Sequence, residues 1–137
     1  MSIVLAPDVF VNASVALGSP PEQVVRRILG GGRKTPTSRW VLSHVEGMLR
    51  AVPSFKEEAV EPQMQMIANL VEVVEQGNHP AGDWVRALVA LAQAAGARRV
   101  VTDHPDLADQ DPVDGIEFLS SDAWLVEQTT PPPPPGT

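Results

Sequence analysis

The chain has 137 residues, enough for one domain with a buried core, and 43% hydrophobic against 4% aromatic content assigns that core to Val, Leu, Ala, Ile and Met. The absence of Cys excludes disulfides, thiolate metal sites and a cysteine nucleophile. With no basic leader, no apolar run of about 18 residues and a formal net charge of -7, a cytoplasmic protein with no membrane partner and no general affinity for nucleic acid is expected.

"SIVLA" near the start is a short apolar strand candidate that ends at Pro7 and Asp8. Asp8 is predicted to cap a helix through "VFVNASVAL", closed by Gly18. "SPPEQVVRRILGGG" carries a capping box, Ser19 and Glu22, with Pro in the first turn and an apolar face of Val24, Val25, Ile28 and Leu29. The three glycines stop this helix and do not open one after a strand, so a phosphate-cradling loop is not indicated.

Val41, Val45, Met48, Leu49 and Val52 predict a helix over "TSRWVLSHVEGMLRAV". After Pro53 the pattern resumes at Val60, Met64, Ile67, Val71 and Val74, predicting a helix over 57–76. "GNHPAGD" reads as a loop and "WVRALVALAQAAG" as an Ala-rich helix ended by Gly96. "RRVVT" reads as a strand buried on both faces, and "GIEFLS" (115–120) as a third strand. "SDAWLVEQ" is a short helix capped by Ser121 or Asp122.

Residues 1–128 therefore form the expected domain, and 129–137, "TTPPPPPGT", a disordered proline-rich tail that could also serve an aromatic-lined partner groove. Strands separated by helices imply a small parallel sheet covered on both faces, an α/β fold of three-layer α/β/α type. Sites in such sheets lie beyond the carboxyl ends of the strands. Those ends are Ala6–Asp8 and Thr102–Asp106.

The charge is polarised along the chain. Arg26, Arg27, Arg33, Lys34 and Arg39 fall within fourteen positions, whereas eight acids lie between Asp103 and Glu127. A two-metal nuclease needs several carboxylates converging on Mg2+ or Mn2+, because hard cations take oxygen ligands. Asp8, Glu46, Asp83, Asp103 and Asp106 are the candidate catalytic acids, with Glu46, Asp103 and Asp106 as metal ligands. Each also has a plain structural reading: Asp8 and Asp83 as caps, Asp103 and Asp106 as turn residues, Glu46 as a solvated helix flank.

"IVLAPDVFVNASV", "WVLSHVEGMLRAV", "RALVALAQAAGARRVVTDHPDL" and "GIEFLSSDAWL" together resemble the PIN domain family, small α/β nucleases that include toxins of toxin-antitoxin pairs. The resemblance implies a PIN-like fold and a metal-dependent ribonuclease with acids at the first helix, mid-chain, before the Ala-rich helix and after the last-but-one strand. The chain departs from that pattern. Ala6 stands where the first metal-binding Asp is expected, His104 takes another acidic position, and Val85 lies near a third. Glu46 and Asp106 stand in register.

Two functions follow. One is a PIN-like domain with a degenerate acidic site, catalytically weakened or inactive, that acts as a binding or regulatory module. It would form a homodimer or hold a protein partner, with Met64, Met66 and Trp84 as interface candidates, and need no cofactor. The alternative is an active Mg2+- or Mn2+-dependent ribonuclease of the toxin-antitoxin type, in which Arg26, Arg27, Arg33 and Lys34 hold the RNA backbone.

Overall fold

A computed structural model describes residues 2–32 and 34–129. In chain order these form β1 (Val4–Leu5), α1 (Pro7–Val15), α2 (Pro20–Leu29), β2 (Thr35–Thr37), α3 (Arg39–Ala51) and α4 (Glu57–Leu70). β3 (Val71–Val73), α5 (Trp84–Ala95), β4 (Arg99–Val101), β5 (Glu117–Leu119) and α6 (Ser121–Thr129) follow. β1, β4 and β5 lie side by side in that order, all parallel, with Val4 opposite Val100 and Val101 opposite Leu119. β2 and β3 make a second parallel pair, Thr35 opposite Val71.

The sheet residues Val4, Leu5, Val100 and Val101 are buried, as expected of parallel strands covered by helices. α5 packs on β1 and β4, while α1 meets α2 and α3, and α6 rests on α2. The fold is thus mixed α/β, helices around small parallel sheets, in agreement with the α/β/α sandwich expected from the sequence. Among the described residues no helix is long and apolar enough to cross a membrane.

Several local expectations change. The helix expected over 57–76 ends at Leu70, because Val71–Val73 pairs with Thr35–Thr37 and the Val74 N–H continues the ladder to the Thr37 carbonyl at 2.8 Å. α1 begins at Pro7, whose fixed φ suits a first helical position; Ala6 is the N-cap residue, and Asp8 lies inside the first turn. At α6 the cap is Ser120, whose Oγ accepts from the Ala123 N–H at 3.1 Å. α6 also runs one residue past the expected domain end, and residues 130–137, which hold the proline run, lie outside the described residues.

Two other helix ends follow the sequence closely. Ser38 Oγ accepts from the Val41 N–H and starts α3. Gly96, at φ 71°, ends α5 in the left-handed conformation that glycine adopts without a Cβ clash, and the Ala97 N–H closes on the Ala92 carbonyl at 2.8 Å.

Candidate functional site

At the carboxyl ends of β1 and β4 the chain builds a buried polar strap. Asp8 is 8% exposed; its Oδ1 accepts from the Thr102 hydroxyl at 2.8 Å and its Oδ2 from the Asp103 N–H at 2.7 Å. Thr102 Oγ1 in turn accepts from the His104 N–H at 3.1 Å. Parallel pairing of β1 with β4 produces this meeting, since it sets the residues after Leu5 beside those after Val101. Burial pushes the Asp8 carboxyl above its ordinary 3.8, and the hydrogen bonds from Asp103 and Thr102 pull it partly back.

Asp103 faces the other way. Its Oδ1 accepts from the Ser121 N–H at 2.8 Å and its Oδ2 from the Ser121 hydroxyl at 2.6 Å, so it satisfies the free amide at the start of α6. The strap Asp8–Thr102–Asp103–Ser121 therefore ties α1, the end of β4 and α6 together.

The remaining candidate acids stand apart from it. Asp83 caps α5, its Oδ1 accepting from the Arg86 N–H at 3.3 Å while Oδ2 lies 3.6 Å from Arg86 Nε. Glu46 lies on the exposed side of α3 and pairs with Arg50 at 3.7 Å. Asp106 is exposed. Among the described residues no three of His, Asp or Glu gather where they could hold a metal ion. Each oxygen of Asp8 and Asp103 already accepts a hydrogen bond from the protein, and no third acid or His joins them among the described residues, so the side chains as placed do not converge as a Mg2+ or Mn2+ centre requires.

What the fold does set beside the loop after β4 is aromatic. His44 stacks on Trp40 with ring centroids 3.9 Å apart, Trp84 meets both edge-on at 5.8 and 5.7 Å, and His104 tilts against Trp84 at 5.2 Å. The His44 ring also lies 2.8 Å from two carbonyls, Trp40 through Nδ1 and Ala81 through Nε2, and Trp40 Nε1 donates to the Pro80 carbonyl at 3.1 Å. These contacts pin the loop before α5. Sequence reading passed over His44, and took Thr102 only as a strand end and Ser121 only as a helix cap; the i, i+4 spacing of Trp40 and His44 was the one local signal of the stack.

The basic residues do not flank the strap. α2 ends at Leu29, so Arg27 and Lys34 lie at the amino ends of β1, β2 and β4, whereas Asp8 and Asp103 lie at the carboxyl ends. Arg26 pairs with Glu22, and Arg33 lies outside the described residues. Of the stretch expected to hold an RNA backbone, the described residues Arg27 and Lys34 thus lie at the other end of the sheet from the strap.

A third feature is an apolar groove of about 530 Å3 between α1, α2 and α4, lined by Phe10, Val25, Ile67 and Leu70. Leu17, 86% exposed, and Met66, 51% exposed, stand at it. Met64 and Trp84, by contrast, pack against the core.

No family model matches the sequence, and no curated protein does. Among solved structures the fold is similar to a chain of the crystal structure of VapBC2 from Rickettsia felis bound to a DNA fragment from their promoter. The TM-score is 0.63 at 12% identity, over 88% of this chain and 98% of that one. At that identity the likeness is one of fold.

Proposed function

We propose that this chain is a PIN-like domain whose inherited acidic site now serves the fold, and that it works as a binding module for another polypeptide. The observation that carries this reading is the use of all four carboxylate oxygens of Asp8 and Asp103 by Thr102, the Asp103 amide and Ser121. A two-metal nuclease needs several carboxylates converging on one point, and among the described residues Asp8 and Asp103 are tied to the fold with no third His, Asp or Glu gathered beside them. Ala6, fully buried, adds none.

The apolar groove between α1, α2 and α4, with Leu17 and Met66 uncovered at it, supports the second half of the reading. A groove walled by helices and lined by apolar side chains is the kind of surface that takes the apolar face of a helical segment. That the similar fold occurs within a complex named VapBC2 agrees with a partner-holding role.

The test is a calorimetric titration of metal-free protein with Mn2+, repeated on Glu46→Ala and Asp106→Ala. The expected result is no micromolar binding in any of the three. Micromolar binding that both substitutions abolish would restore the ribonuclease reading and call for an RNA-cleavage assay.

A further inference from the structure

A cavity of about 630 Å3 opens at the end of the sheet opposite the strap, between α2 and α6. Its walls include Ile3, Arg27, Ile28, Lys34, Arg99 and Trp124. Roughly 300–1,000 Å3 is the range of small-molecule sites. Three of these six residues are cations in a chain of net charge -7.

Their charges are not equally available. Arg99 is held by Glu117 at 3.1 Å and by Glu127, contacts that raise its pKa and use its charge. Arg27 and Lys34 are exposed and form no ion pair among the described residues. The carboxyl end of α2 sets only about half a negative charge against them. The cavity therefore keeps a net positive wall. Trp124, half-buried, presents an indole beside Ile3 and Ile28, an apolar surface for a flat ring.

We propose that this cavity binds a mononucleotide, its phosphate between Arg27 and Lys34 and its base against Trp124. Guanidinium and ammonium groups hold phosphate by charge-assisted hydrogen bonds, and bases stack on indole without regard to sequence. The overall negative charge of the protein disfavours a long polyanion, whose distant phosphates would meet the acidic surface, but leaves a single phosphate within reach of the local cations. The site needs no glycine-rich loop, because side chains supply the donors. It is separate from the strap and the groove, so it does not rest on the reading above.

The test is calorimetric titration of the full chain with AMP, adenosine, inorganic phosphate and a single-stranded oligonucleotide, at low salt. AMP is expected to bind saturably, and at least about tenfold more tightly than adenosine or phosphate alone. The double substitution Arg27→Ala/Lys34→Ala, on exposed residues, is expected to weaken AMP by about tenfold or more with the circular dichroism unchanged. Trp124→Phe should keep phosphate binding and remove the AMP-dependent quenching of its indole. The proposal is overturned by no saturable binding of AMP at millimolar concentration, or by AMP affinity indifferent to the double substitution. Phosphate binding as tightly as AMP would equally reject the nucleotide, and an oligonucleotide binding more tightly than AMP would reassign the wall to nucleic acid.

Discussion

The Asp8 carboxylate accepts a 2.8 Å hydrogen bond from the Thr102 hydroxyl across 94 positions of sequence, inside a region where Thr102 has no solvent exposure. An acid in this setting is a structural tie. Removing it as Asp8→Ala leaves the Thr102 hydroxyl and the Asp103 amide unpaired, at about 1–3 kcal/mol each, so a loss of about 2–6 kcal/mol is expected. Asp8→Asn, which keeps the shape and an acceptor, should lose less. Urea unfolding of the two variants checks the order, and equal losses would mean the hydrogen bonds contribute little.

Asp8 also sets a pH dependence of definite sign. Because its folded pKa is raised above 3.8, the folded protein holds a proton that the unfolded chain has released. That contribution to stability is complete below 3.8 and is lost as the pH rises through the folded value. The stability of the wild type minus that of Asp8→Asn should therefore fall as pH increases from 3.8, then level off. A difference that rises with pH over the same window would contradict the burial argument.

Asp103 anchors α6 through Ser121. Asp103→Ala should cost about 1–2 kcal/mol, in the range of a lost helix cap, and should speed hydrogen exchange at the Ser121 amide. Unchanged exchange there would show that Ser120 alone holds the helix start.

His44 clasps the loop before α5. Replacing it with Ala removes the stack on Trp40 and the contact with the Ala81 carbonyl, so a loss of about 1–2 kcal/mol is expected. The local readout is faster amide exchange over Gly77–Asp83 with β4 unaffected. Uniform acceleration across the chain would point to global destabilisation instead.

The groove prediction separates surface from core. Leu17→Glu and Met66→Glu replace exposed side chains, so stability should change by no more than about 0.5 kcal/mol. Binding of an apolar dye should drop sharply in both. Light scattering then distinguishes occupants: a wild-type dimer that becomes monomeric in Leu17→Glu assigns the groove to a second copy, while a monomer throughout leaves it for a different polypeptide. Dye binding indifferent to both substitutions would remove the groove from consideration.

The long elements were readable because their physics is local. Val41, Val45 and Leu49 mark the buried face of α3 by spacing alone, and the apolar run at Val100 and Val101 announces a strand covered on both sides. β2 was hidden because "TPT" has no apolar signal, and β3 because Val71 and Val74 prolong the helical spacing of Val60, Met64 and Ile67 past the true end of α4. Glu46 illustrates the limit at the site. Two positions along a helix turn a side chain by about 200°, and it is His44, not Glu46, that reaches Trp84. The partnership of Asp8 with Thr102 was illegible for a different reason, since nothing near either residue encodes which strands will lie side by side.

Strand pairing also sets the order in which the molecule can be assembled. Val4 is matched to Val100 and, through it, to Phe118, so β1 has no neighbour in its sheet until β4 has been synthesised. During translation Val4 and Leu5 must emerge and wait without their β4 neighbours. Such remote pairings slow folding, because the intervening chain must lose its freedom before any contact rewards it. The nascent protein therefore passes through a stage with apolar surface uncovered, and the final residues of β4 and β5 are what end its exposure to aggregation on the ribosome.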